Sequence, residues 1–105
     1  MNQTMRHLLA KMKDRHATDL HLTKGSRPVY RVAGQLCRAD IPVLEADDCE
    51  SLIFSLLTDD QKQVVESKKE MDCSVHIRGI GRFRGNIFMQ RGAVAGVFRA
   101  IPMET

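Results

Sequence analysis

A chain of 105 residues has room for one domain with one modest core, and 43% hydrophobic with 28% charged residues is the balance of an ordinary globular protein. No apolar run reaches bilayer-spanning length, and the opening MNQTMRHLLAKMK has neither the long apolar stretch nor the small-residue cleavage site of a secretory signal. The net charge of +3 is made of three blocks, +6 over residues 1–39, −7 over 40–72 and +5 over 73–103, with −1 from Glu104; the third block has five arginines and no lysine or acid. Blocks of alternating sign suit either solvated faces or a partner of opposite potential.

Met5, Leu8, Leu9 and Met12 fall at i, i+3, i+4 and i+7, which predicts an amphipathic helix over residues 4–15. Lys11, Lys13 and Arg15 lie near its C-terminal end, where positive charge suits the helix dipole. Leu20 and Leu22 alternate with Asp19 and His21, the pattern of a short strand with one buried face over Thr18–Thr23. Lys24 to Pro28 is a turn by composition. Val29–Val32 and Gln35–Arg38 read as strands of a hairpin, with Gly34 supplying a positive φ.

Pro42 ends that hairpin, and Cys49, Leu52, Ile53 and Leu56 resume helical spacing, with Asp47 and Asp48 in the favourable first turn. Thr58-Asp59-Asp60-Gln61 has the form of a capping box, so another helix runs from there to about Lys68. Three strands close the chain: Met71–Ile77, Arg82–Gln90 and Ala93–Ile101, joined at Gly79 to Gly81 and at Arg91-Gly92. The order helix, three strands, two helices, three strands predicts an α+β domain, an antiparallel sheet of about six strands with helices gathered on one side.

Several chemistries are excluded by what the sequence lacks. There is no G-x-x-x-x-G-K-S/T phosphate loop, no G-x-S-x-G and no H-E-x-x-H. Gly79-Ile80-Gly81-Arg82-Phe83-Arg84 begins like a dinucleotide fingerprint but lacks the third glycine and precedes a strand. His7, His16, His21 and His76 have no metal-ligand spacing, and the alternation puts His21 on a solvent or interface face. Cys37, Cys49 and Cys73 are isolated and odd in number, which argues against a disulfide framework or a zinc site and for reduced structural thiols of a cytosolic protein.

The informative segment is Arg82-Phe83-Arg84-Gly85-Asn86-Ile87-Phe88. In a strand Arg82, Arg84 and Asn86 share one face, while Phe83, Ile87 and Met89 share the other, the core face. Paired guanidiniums suit phosphate or carboxylate, or simply cover a sheet surface in ion pairs of small worth. Arg99 joins the same face if the last two strands pair. The run also echoes the RNP1 pattern of RNA-binding sheets, but that pattern needs exposed aromatics and Phe83 falls on the core side, so RNA binding is the weaker reading.

Four segments in order resemble one family. Ala17-Thr18-Asp19-Leu20-His21-Leu22 is similar to A-S-D-L/I-H-L/I, and Arg31-Val32-Ala33-Gly34-Gln35-Leu36 to R-V/I-x-G-x-L/I. Gly79 to Phe88 is similar to G-V/I-G/A-R-F-R-V-N-x-F, and Gly96-Val97-Phe98-Arg99-Ala100-Ile101-Pro102 to A-V-F-R-x-I-P. Together they resemble the N-terminal domain of the twitching-motility (PilT-like) retraction ATPases of type IV pili, within the secretion motor superfamily. The departures are Thr18 for serine, Arg27 where a second proline is common, and Gly85 for valine. A glycine in mid-strand is a place for a bulge that would turn Arg84 or Asn86 off their face.

The resemblance implies a PAS-like domain over residues 1–102, with 103–105 opening a linker to an absent ATPase domain, so that the chain is a fragment. It implies a cytoplasmic homo-hexamer peripheral to the inner membrane, in which the domain packs on the ATPase domains of its own and the adjacent subunit and the motor engages an inner-membrane platform. ATP and magnesium belong to the intact protein. The fragment itself holds no cofactor, metal or catalytic residue, hydrolyses nothing alone and binds no nucleic acid. Arg82, Arg84 and Arg99 are the candidates to approach nucleotide phosphates. A stand-alone PAS-like small-ligand sensor or adaptor is the alternative.

Overall fold

The computed structural model describes residues 1–102, and the expected linker at 103–105 lies outside the described residues. Helix α1 (Gln3–Asp14) begins at Asn2, whose side-chain oxygen accepts the Met5 N–H at 3.1 Å, and it buries Met5, Leu8, Leu9 and Met12 as their spacing requires. Strands β1 (Asp19–Leu22), β2 (Val29–Val32) and β3 (Gln35–Arg38) follow. Helix α2 (Ala46–Phe54) is shorter than its apolar spacing suggests, so Leu56 sits in the connection to α3 (Asp59–Lys68), half-buried against the core. The capping box forms as expected: Thr58 Oγ1 accepts the Gln61 N–H at 3.2 Å, and Gln61 Oε1 accepts the Thr58 N–H at 3.0 Å.

Strands β4 (Glu70–Ile77), β5 (Gly81–Gln90) and β6 (Ala93–Ile101) complete one six-stranded antiparallel sheet in the order β3-β2-β1-β6-β5-β4. The β2–β3 and β5–β6 hairpins turn through two residues with positive φ, Ala33-Gly34 and Arg91-Gly92, the geometry whose twist matches paired strands. The first strand lies beside the last, so the sheet is closed in sequence by β1–β6 at its centre.

All three helices feed one core on one face of the sheet, where Leu20, Leu22, Tyr30, Phe83, Ile87 and Phe98 meet Leu8, Leu9, Ile53 and Val65. The Tyr30 hydroxyl donates to the Leu8 carbonyl at 2.6 Å and ties α1 to β2. Gly85 does not introduce a bulge. Pairing runs without interruption from Arg82↔Ile101 to Gln90↔Ala93 on one side of β5, and from Gly81↔Ile77 to Phe88↔Glu70 on the other. The glycine is needed for a different reason: a Cβ there would come within 2.9 Å of Phe98 Cε1 and 3.3 Å of Cys73 Sγ. The Phe98 ring therefore lies against the Gly85 backbone, and Arg84 and Asn86 keep the face that strand alternation assigns them.

Candidate functional site

The second face of the sheet carries no helix, and its polar residues line up in rows set by the register. One row crosses all six strands through Leu36, Arg31, Asp19, Arg99, Arg84 and Ser74. Arg84 and Arg99 stand directly opposite each other, and Arg99 is beside Asp19. The next row holds Val29, His21, Val97, Asn86 and Asp72. Between the two rows lies a depression of about 520 Å³ lined by His21, Asp72, Arg84, Asn86, Val97 and Arg99.

Asp19 organises this face. It is 8% exposed, the one buried charged or polar residue among those described. Its Oδ1 accepts Arg99 Nε at 2.9 Å and its Oδ2 faces Arg31 Nε at 3.3 Å. One carboxylate thus fixes two guanidiniums through their inner nitrogens, while the Arg99 side chain stays 71% exposed. Asn86 Nδ2 donates to Asp72 Oδ1 at 2.8 Å, which sets the far wall of the depression. Arg82 and Arg84 make no ion pair among the described residues, so two like charges, Arg84 and Arg99, are juxtaposed with a single buried carboxylate between the Arg99 and Arg31 stems. Directly opposed like charges in a sheet are destabilising unless a counter-charge arrives.

Of the three arginines expected on this face, the structure brings Arg84 and Arg99 into one depression. Arg82 shares the face but lies one step along β5, opposite Ile101 and His76, outside the depression. His21 faces the site as its alternation suggests, and its Nε2 is buried with no hydrogen-bond partner among the described residues. Asp19, Arg31 and Asp72 escaped sequence reasoning as site residues. Alternation gives their face once the pairings are known, but the β1–β6 pairing that brings Asp19 to Arg99 spans 80 residues and has no local signature.

The rest of the molecule narrows the chemistry. Phe83 and Phe98 are buried in the core, which removes two of the four phenylalanines from any base-stacking surface. Burial pushes the Cys49 and Cys73 thiols above their ordinary range, helped by the neighbouring Asp48 and Asp72 carboxylates, and both cysteines are free. Among the described residues no helix is long and apolar enough to cross a membrane.

Sequence and fold together define the class: the N-terminal domain of a type IV pilus retraction ATPase of the PilT kind. No protein-family model matches the chain. It is 39% identical over 92% of its length to the Type IV pilus retractation ATPase PilT of Pseudomonas aeruginosa, covering 28% of that protein. It is 32% identical over 71% of its length to a Twitching motility protein of Neisseria gonorrhoeae, covering 20% of it. The crystal structure of the pilus retraction motor PilT with bound ADP superposes on 92% of the chain at 37% identity and a TM-score of 0.81, using 29% of that chain. The ATPase DotB of Legionella pneumophila shares the fold, with a TM-score of 0.79 at 23% identity. The chain thus spans under a third of the relatives it matches. It is, within that family, the N-terminal domain of a PilT-like ATPase.

Proposed function

We propose that residues 1–102 form the N-terminal domain of a hexameric type IV pilus retraction ATPase and that 103–105 begin the linker to its ATPase domain. In this reading the domain is PAS-like, packs on the ATPase domains of its own and the neighbouring subunit, and moves as nucleotide is hydrolysed. It works in the cytoplasm beside an inner-membrane platform and does not hydrolyse ATP alone. Homology to PilT and the ADP held by that related motor support the nucleotide part of the reading.

The observation that carries it is the opposed pair Arg84 and Arg99 on a face without helices. Planar guanidiniums with outward donors suit phosphate oxygens, and Asp19 holds Arg99 in place before any phosphate arrives. Two cations side by side are relieved when a polyanion docks between them. Arg82, further along the strand, extends the same positive face. The chain has no G-x-x-x-x-G-K-S/T loop, and its arginines are donors to phosphate rather than ligands for magnesium, so both nucleotide and metal would be held by the ATPase domain.

Replacing Arg84 or Arg99 by glutamine in the intact protein is expected to lower ATPase turnover by about tenfold to a hundredfold, with Arg82→Gln milder. Arg84 is exposed and makes no ion pair among the described residues, so melting of the Arg84 variant of the 105-residue chain should hardly move, while Arg99→Gln also takes a hydrogen bond from the buried Asp19. Unchanged turnover in the Arg84 and Arg99 variants would remove the phosphate role.

A further inference from the structure

A second group of basic residues lines a cleft beside α1, apart from the arginine depression. His7 and Lys11 on α1 and Arg15 at its C-cap are spaced at i, i+4 and i+8, and Arg38, the last residue of edge strand β3, also lines the cleft. The cleft holds about 450 Å³, within the range of small-molecule sites. Its floor is Leu8, Tyr30, Ala39 and Ile41, where the Tyr30 hydroxyl is already bonded to the Leu8 carbonyl and needs no further partner.

The charges are not explained by the fold. Lys11, near the end of α1, eases the helix dipole, but that does not account for Arg38, on another element. Like charges at i, i+4 on a helix oppose folding slightly. None of Lys11, Arg15 or Arg38 makes an ion pair among the described residues. The single acid at the rim, Asp40, is fully exposed and sits 3.7 Å from Arg27 instead. Arg15 is near enough to the floor to pull the buried Tyr30 phenol back toward its ordinary range, against the stronger effect of burial. The acidic middle block of the chain therefore leaves this cluster unneutralised.

We infer that the cleft between α1 and β3 is a second anion site, distinct from the arginine face, that takes a phosphate ester. Lys11, Arg15 and Arg38 meet the phosphate, and the apolar floor receives the body attached to it. A free phosphorylated small molecule and a phospholipid headgroup share this chemistry.

The test is an amide-resonance titration of the isotope-labelled 105-residue chain with inorganic pyrophosphate, and separately with phosphatidylglycerol vesicles against phosphatidylcholine vesicles. Shifts in residues 7–15 and 38–41 with pyrophosphate support a soluble ligand, and shifts or broadening there with the anionic vesicles alone support a headgroup. In either case Lys11→Gln with Arg38→Gln should weaken the effect by about tenfold or more, since each lost charged hydrogen bond is worth more than the tenfold unit of binding energy. Responses of Arg84 and Arg99 should survive in that variant. No response in the cleft to either probe, or a response confined to β5 and β6, overturns the proposal. If the double variant unfolds, Lys11→Gln alone, at an exposed helix position, gives the same reading.

Discussion

Asp19 sets the geometry of the open face with a single carboxylate shared between Arg99 and Arg31. Ion pairs of this kind, with one partner mostly in water, contribute little to stability. Their consequence is positional: the Arg99 stem is held while its outer nitrogens remain in solvent. Tyr30 is the opposite case, a buried group whose role is structural. Burial pushes its phenol up to about 12, with the Arg15 guanidinium opposing the rise. The folded pKa exceeds the unfolded one of about 10. The neutral phenol thus stabilises the fold fully below the unfolded value, and that stability is lost as pH rises toward 12. Denaturation at alkaline pH should show a loss on the order of 2 kcal/mol over this window. Tyr30→Phe should be less stable near neutrality, for want of the bond to Leu8, and should lack that step. An unaltered alkaline step in Tyr30→Phe would assign it to another group.

At the scale of elements, most of the fold was legible because its signals are local. The i, i+3, i+4, i+7 apolar set gave α1, the Thr58 to Gln61 box gave the start of α3, and the Ala33-Gly34 and Arg91-Gly92 turns gave both hairpins. Strand alternation placed Arg82, Arg84 and Asn86 together, and the β5–β6 hairpin added Arg99. Gly85 was misleading, because the residue alone cannot distinguish a bulge from a close approach, and the aromatic that fills its space lies 13 positions away at Phe98. Its physical role gives a sharp expectation. Gly85→Ala improves local strand propensity yet should destabilise the chain by about 1–3 kcal/mol in chemical denaturation, because Phe98 and Cys73 crowd the new methyl. A stabilised variant would mean that the Phe98 ring moves aside freely. The partnership of Asp19 with Arg99 was not legible, since no short-range pattern specifies which strand lies beside β1.

On the scale of the whole molecule, charge blocks along the sequence become faces in space. Among the described residues the ion pair that the +5 block makes is with the first block, Arg99 to Asp19, and none of its arginines pairs with an acid of the −7 block. Helices α2 and α3 keep their acids in solvent on the covered side of the sheet, while the opposite side presents Arg82, Arg84 and Arg99. The open face presents these arginines to whatever lies across from the sheet, and in a PilT-like motor we read that surface as turned toward nucleotide phosphates. The most direct measurement compares nucleoside triphosphate and diphosphate affinities of the intact protein with those of its Arg84→Gln variant. A phosphate contact predicts that the triphosphate loses about tenfold or more in affinity, and the diphosphate less, as expected for a lost charged hydrogen bond. Equal affinities for both nucleotides in variant and parent would contradict it.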